Sequence, residues 1–529
     1  MRGFWKRGEP MVLASGATLA VILLLTLTLV GVVLYNGLGF FWPKPLVRFE
    51  LKDGSAVLGQ IAGHDRHAMS GERRLQLKVG NRDLYSQDFR WLDEKEILKR
   101  EYPRDAVLLE RREHGNFFGF VKGLKTADGS QISGELWQAL QRQHREALQQ
   151  QAALQPLKER MFRLNRDAEE LRLKILRLEY RAAAEAAIAP LRERKQRLTE
   201  EFDRLNEQLS ARQATLAQAT VLLVDAAGSE KELPLVEIVR AQQPNGMSPV
   251  AKAGVYLVKL KELLLDDPRE SNTEGGLFPA IFGTVLMVLV MSFFSLPFGV
   301  VAAVYLREYA KDGWLVRAVR IAVNNLAGVP SIVYGVFGLG FFVYGIGGSI
   351  DALFYPERLP TPTFGTGGIL WSSLTLALLT VPVVIVATEE SLASIPKGVR
   401  EGSLALGATR FQTLLRVLLP MATPGIMTGM VLSMARAAGE VAPLMMVGVV
   451  KLAPTLPFDS QFPFFHMDRK FMHLGFHIYD VGFQSPNVEA AKPMVYITTM
   501  LLLLIVIVAT SLAIRFRNRM RQKYTTSHF

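Results

Sequence analysis

The 529 residues include no cysteine, which excludes structural disulfides and thiolate-ligated metal centres. Histidine is scarce, at eight residues. His473 and His477 stand one helical turn apart, a spacing that can hold a metal, but no carboxylate-rich motif accompanies them beyond Asp468 and Asp480. They are expected on a loop surface, and the run Gly63-His64-Asp65-Arg66-His67 is expected to be a polar turn. The GxxxxGK[ST] phosphate loop is also missing, so ATP hydrolysis must belong to another polypeptide. No basic patch with interleaved aromatics accompanies the net charge of +12, which sets nucleic acid aside as a partner.

What is present is a divided chain. At 49% hydrophobic and 21% charged, it is too apolar for an ordinary soluble protein and too charged to be membrane throughout. A bilayer span needs roughly 20 apolar residues. Six runs qualify: Met11–Tyr35, Leu277–Leu306, Ile321–Gly347, Thr366–Thr388, Met421–Val450 and Pro493–Ile514. Several contain Gly or Pro, which membrane helices tolerate where neighbours cover the backbone. The first run is longer than the apolar part of a signal peptide and has no small-x-small cleavage site before Trp42-Pro43, so a retained anchor is expected.

The Lys/Arg bias of short loops sets the orientation. Arg2, Lys6 and Arg7, then Arg307, Lys311, Arg317 and Arg320, then Lys397, Arg400, Arg410 and Arg416, and finally Arg515 to Lys523 fall in alternate loops. Those loops and both termini are expected in the cytoplasm. Gly348–Gly365 and Lys451–Lys492 are then outside.

The same topology puts residues 37–276 outside, between an anchor region at 1–36 and a core at 277–529. Within this insert, Val47–Gly59 and Leu75–Leu84 alternate apolar and polar residues around Asp53-Gly54 and Gly80-Asn81, as strands and turns do. Thr220–Val224 and Leu233–Val239 read as returning strands. Between them, residues 154–217 change period: Leu154, Leu157, Met161, Leu164, Ala168, Leu171, Ile175, Leu178 and Ala182 are spaced three or four apart, a pattern that Leu198, Phe202, Leu205 and Leu209 resume. Pro156 and Pro190 fit the first turns of two helices, Pro156–Ala187 and Pro190–Ala217, each ~45 Å long, which suits an antiparallel coiled-coil hairpin. The hairpin is either a solvated arm or a docking arm for a periplasmic partner.

Two features of the core carry chemistry. Asn324-Asn325-Leu-Ala-Gly-Val-Pro330-Ser331 interrupts the third span with amides, small residues and a proline. Such a break either exposes polar groups to a pathway or packs helices through small residues. Arg436 and Glu440 lie four apart in the fifth span. An Arg near a helix centre costs roughly 2.5–3.5 kcal/mol to insert, so it should face an interior or an aqueous cavity with a partner. Either the two form a helix-locking ion pair, or Arg436 offers its charge and planar fork to a tetrahedral oxyanion while Glu440 orients it and competes.

The polar, basic segment 389–420 between the fourth and fifth spans contains Glu401-Gly402-Ser403, Gly407, Val417, Leu419 and Pro420. This spacing resembles the EAA loop of ABC importer permeases, with Gly402 and Ser403 in place of the two alanines. Gly328-Val-Pro330-Ser331-Ile-Val-Tyr-Gly335 and Arg436-Ala-Ala-Gly-Glu440-Val-Ala-Pro443-Leu are similar to signatures of phosphate permeases, with Val441 where Thr is usual. Thr388-Glu389-Glu390 and His477-Ile-Tyr-Asp480 look more like the A-type permease (PstA type) than its C-type partner.

The resemblance covers Leu277 onward. It implies an α-helical integral membrane protein with about six transmembrane helices of the ABC importer permease type, here with a large periplasmic α+β insert containing a coiled-coil hairpin, where family members usually have little between the first two spans. It also implies a permease subunit of an ATP-driven phosphate importer in the bacterial inner membrane: a transporter component, not an enzyme, with no cofactor. The partners would be a second permease subunit, an ATPase dimer beneath Glu401–Thr409, a periplasmic phosphate-binding protein and membrane lipid. Arg436, Glu440, Asn324, Asn325 and Ser331 would line the pathway, and Glu401, Gly402, Ser403, Gly407 and Pro420 would couple to the ATPase. Permeases for sulfate, molybdate or phosphonate, and a membrane-anchored sensor or scaffold, remain alternatives.

Overall fold

The computed structural model describes residues 9–66, 71–132, 134–311, 313–459, 462–485 and 487–525. Arg2, Lys6, Arg7 and His67 lie outside them. Contacts divide the chain into two units. One comprises residues 1–40, 264–267 and 276–529, the other residues 41–263 and 268–275. The first begins with helix α1 (Glu9–Gly39).

The second unit carries two antiparallel sheets of one topology. Strands β1 (Val47–Leu51), β2 (Ala56–Arg66), β3 (Arg73–Lys78), β4 (Phe89–Asp93) and β5 (Ile97–Glu101) are ordered β4-β3-β2-β1-β5. Short helix α2 (Arg82–Tyr85) links β3 to β4. Strands β6 (Val107–Arg111), β7 (Asn116–Lys125), β8 (Gln131–Ile132), β9 (Thr220–Val224), β10 (Glu230–Pro234) and β11 (Ile238–Gln242) follow, ordered β10-β9-β7-β6-β11 with β8 on β7. In both sheets a 3-10 turn, Glu94–Glu96 or Leu235–Glu237, precedes the last strand. Val47 pairs with Gly59 as Val107 pairs with Gly119. A Cβ on Gly59 would collide with the Lys78 carbonyl, and one on Gly119 would lie 2.5 Å from the Val224 carbonyl. The sheets are two copies of one arrangement. Alternate residues fill each core: Phe49, Leu75 and Leu77 in one, Leu109, Phe117 and Leu223 in the other.

Local backbone chemistry moves three expected boundaries. The expected turn at Gly80-Asn81 is present, both residues adopting positive φ (58° and 51°), but it leads into α2 and not into a further strand. Leu233–Val239 is divided at the 3-10 turn after Pro234. Gly63–Arg66, expected as a turn, lies on β2, where Asp65 pairs with Arg74 at 2.9 Å.

Between β8 and β9 the chain forms α3 (Leu136–Ala152), α4 (Gln155–Tyr180) and α5 (Glu185–Ala217). The α4 and α5 helices run antiparallel: Arg192 reaches back to Glu179 beside the reversal, and Arg160 pairs with Glu201 farther along. Met161, Leu164 and Leu205 are buried between them. The expected break at Pro190 is absent. The chain reverses at residues 181–184, where Ala182 takes φ 51°, and Pro190 lies inside α5. Helix α6 (Pro249–Leu265) and the ribbon of β12 (Pro268–Arg269) and β13 (Glu274–Gly275) complete the insert region.

The first unit continues with α7 (Phe278–Tyr309), α8 (Trp314–Leu326), α9 (Ser331–Phe354), α10 (Ile369–Ala393), α11 (Lys397–Ala405), α12 (Arg410–Gly439), α13 (Ala442–Val447), α14 (Leu474–Tyr479) and α15 (Val488–Thr525). Among the described residues six helices, α1, α7, α9, α10, α12 and α15, are long and apolar enough to cross a membrane. Helix α10 is central and packs on α7 and α12 through small residues. A Cβ on Gly299 would lie 2.6 Å from Val384, one on Gly429 would lie 2.7 Å from Ala387, and one on Gly425 would collide with Ser391.

The third span begins at Ser331 rather than Ile321, because Pro330 is extended (ψ 134°) and disfavours helix in the residue before it. Residues 314–326 are therefore a separate amphipathic helix, α8. The fifth span is Arg410–Gly439 rather than Met421–Val450. It ends where Glu440 turns extended (φ −78°, ψ 131°).

His473 and His477 are buried, not on a loop surface. Their segment folds back on the helices, with Phe471 in the core and the Leu474 N–H donating to Thr284 Oγ1 at 2.9 Å. His473 Nδ1 accepts from the Gly475 and Phe476 N–H groups and so caps α14. Burial drives its pKa down to about 3, which keeps the ring neutral. His477 Nδ1 meets Thr498 Oγ1 at 3.1 Å.

Candidate functional site

Arg436 occupies the last turn of α12, not a helix centre. Its neighbours Ala437 and Ala438 are buried in the helix core, while the Arg436 side chain is 34% exposed and that of Glu440 19%. Arg436 Nε lies 3.5 Å from Glu440 Oε1. Because the helix stops at Gly439, this pair spans a helix end and a short extended link. A cation beside the last carbonyls of a helix is favoured by their partial negative charge. The guanidinium has five N–H donors, more than one carboxylate can engage.

The link leads into α13, which packs against α9. A Cβ added to Gly335 would lie 2.7 Å from Pro443 Cα and 3.1 Å from its carbonyl oxygen. The interrupted third-span segment and the Arg436–Leu444 segment therefore touch at backbone distance. Beside this contact, the buried Tyr334 hydroxyl donates to the Leu326 carbonyl at 2.7 Å, closing the break between α8 and α9. Asn324 and Asn325 are exposed on α8, whereas Ser331 opens α9 half-buried. Tyr334 and Pro443 stand within the quoted motifs but were assigned no role there. The available signal for Tyr334 was a phenol within an apolar run, which needs a hydrogen-bond partner.

A second surface forms around α11. Gly407 takes φ 88°; its N–H donates to the Leu404 carbonyl and the Ala408 N–H to the Ser403 carbonyl, a Schellman ending that requires the left-handed glycine. Thr409 and Gln412 then form a reciprocal capping box that starts α12. Ser403 Oγ meets Thr413 Oγ1 at 2.9 Å across the turn. Arg400 holds Glu308 of α7 at 2.8 Å and the Leu392 carbonyl at 2.8 Å. Arg320 of α8 approaches Glu389 at 3.4 Å and donates to the Leu306 carbonyl at 2.9 Å. Two of the basic loops are thereby joined at one end of the bundle. Glu401 and Gly402 are exposed, beside Leu404 at 44% and Leu406 at 91%. Pro420 does not end the segment: α12 runs through it, just after a π-type turn at Leu414–Leu418.

Residues 295–522 match the family described as "Binding-protein-dependent transport system inner membrane component". The chain is 33% identical over 261 residues to the "Probable ABC transporter permease protein YqgH" of Bacillus subtilis, covering 49% of this chain and 78% of the relative. It is 31% identical over 229 residues to the "Probable phosphate transport system permease protein PstA" of Methanocaldococcus jannaschii, covering 43% and 71%. With the "Phosphate transport system permease protein PstA" of Mycobacterium leprae it shares 36% identity over 215 residues, covering 41% and 63%. With its six apolar helices, exposed α11 turn and Arg436–Glu440 pair, the chain belongs to the binding-protein-dependent transport system inner membrane component family, the permease subunits of ABC importers.

Proposed function

We propose that this chain forms half of the pathway of a phosphate importer in a bacterial inner membrane. The observation that carries the reading is the half-buried Arg436, held 3.5 Å from Glu440 beside the Gly335–Pro443 contact. A guanidinium with unused donors suits a tetrahedral oxyanion, and relatives 31% and 36% identical to the chain are named phosphate transport system permeases. Arg436 meets the anion in passage, while Glu440 orients the guanidinium and replaces the anion as it leaves. Ser331 lies at the start of the neighbouring helix, and Asn324 and Asn325 flank the approach. Binding must stay modest, or the ion could not leave.

Glu401, Gly402, Ser403 and Gly407 form the turn that docks on a separate ATPase dimer, with Pro420 behind it in α12. A second permease subunit completes the pathway, and a periplasmic binding protein delivers the ion. Residues 37–276 lie in the periplasm, where α4 and α5 form a coiled-coil arm. The test is uptake of radiolabelled phosphate by cells carrying this chain as their sole permease of this type, with sulfate, molybdate and phosphonate as competitors. Competition by unlabelled phosphate alone supports the reading. Uptake of another of these anions in its place overturns the substrate assignment.

A further inference from the structure

Helix α6 is amphipathic in the reverse of the usual sense. Lys259 and Glu262 face the second sheet, in one ionic cluster with Glu110 of β6, Arg240 of β11 and Arg269. Arg240 lies 2.8 Å from Glu110 and 2.9 Å from Glu262. The opposite face presents Val250 (81% exposed), Leu257 (64%), Val258 (54%) and Leu265 (58%), with Lys261 among them. These positions recur at helical spacing and form one stripe. A helix that faced water on this side would place its ionic groups there instead.

Chain continuity identifies what meets the stripe. At the C-terminal end of α6, the Phe278 N–H of α7 donates to the Asp266 carbonyl at 3.3 Å, and the Gly276 N–H donates to the Asp267 carbonyl at 3.0 Å. Leu265 is therefore held at the first turn of a membrane-crossing helix. Midway along α6, the Tyr256 ring lies 6.2 Å from Phe41 and 6.4 Å from Trp42. Those two aromatics follow directly after α1, another apolar span, and a Trp next to a span marks the headgroup level.

We infer that α6 lies in the headgroup region of the bilayer on the side where the insert emerges, with its Val250–Leu265 stripe among the acyl chains and Lys261 reaching up to the headgroups. The ionic cluster on the opposite face pins the insert's second sheet to this lipid-bound helix. The inference does not depend on which ion is transported.

The absence of cysteine makes the test direct. Val250→Cys, Leu257→Cys and Leu265→Cys, made singly in the full chain, are spin-labelled and reconstituted into phosphatidylethanolamine/phosphatidylglycerol vesicles, with exposed Gln208→Cys of α5 as the aqueous control. Because the three side chains are exposed, substitution leaves the packing intact, and each position is read independently. Power saturation is expected to show greater access of oxygen than of a water-soluble nickel chelate at all three, at depths of ~5–10 Å, with the reverse at Gln208. Nickel access equal to the control would overturn the inference. Exclusion of both reagents would also overturn it, since that marks a protein surface, such as a second subunit, over α6.

Discussion

Gly335 and Pro443 touch backbone to backbone: a Cβ on Gly335 would sit 2.7 Å from Pro443 Cα. This contact seats α13 on α9 and so positions the chain immediately after Glu440. Neither backbone can step aside as a flexible side chain could. Gly335→Ala is expected to destabilise the bundle by about 1–3 kcal/mol and to reduce uptake. Gly340→Ala, where a Cβ meets nothing within 4 Å, should be close to neutral. Thermal unfolding in detergent, together with uptake, checks both.

The turn after α11 depends on one backbone conformation. Gly407 at φ 88° makes Gly407→Ala strained by about 1–2 kcal/mol, a penalty confined to an exposed turn. Membrane abundance should therefore hold while uptake and transport-coupled ATP hydrolysis fall together. Normal coupling in this variant would mean that the turn is not the element that meets the ATPase.

His144 of α3 links stability of the insert to pH. It is buried, its Nε2 lies 2.7 Å from the Ile238 carbonyl, and burial lowers its pKa from the ordinary 6.5. With the folded pKa below the unfolded one, the unfolded chain binds the extra proton first. The contribution is thus complete above the unfolded pKa and is lost as pH falls through the folded one. Wild type should lose more thermal stability than His144→Gln between about pH 7 and pH 5. Parallel loss in the two proteins would assign the acid sensitivity to other groups.

The apolar runs made the spans legible, but several of their ends were not. Ile321-Ala322-Val323 is as apolar as a span, although Arg317 and Arg320 on the same helix make α8 amphipathic; only the extended Pro330 divides it from α9. Arg436 was visible as a charge in an apolar run. Its place at a helix end depends on Glu440 leaving helical geometry, which a lone Gly439 does not announce.

Two other features were missed for physical reasons. The duplicated sheet leaves traces in Glu96-Ile97 with Pro103 and in Glu237-Ile238 with Pro244, but the helices between β8 and β9 split the second copy. His473 and His477 looked like polar loop residues because nothing local reveals that Phe471 and Leu474 carry that loop into the core.

The most direct measurement is phosphate uptake by cells whose sole copy is wild type, Arg436→Lys or Arg436→Gln, matched for membrane abundance and thermal stability. Arg436→Gln, which removes the charge, should reduce uptake at least tenfold, roughly the effect of losing one charge-assisted hydrogen bond of about 1.5 kcal/mol. Arg436→Lys, which keeps the charge but loses the fork, should fall between. Full uptake by a stable Arg436→Gln protein would contradict a role for Arg436 in passing the anion and leave it as a lock on the end of α12.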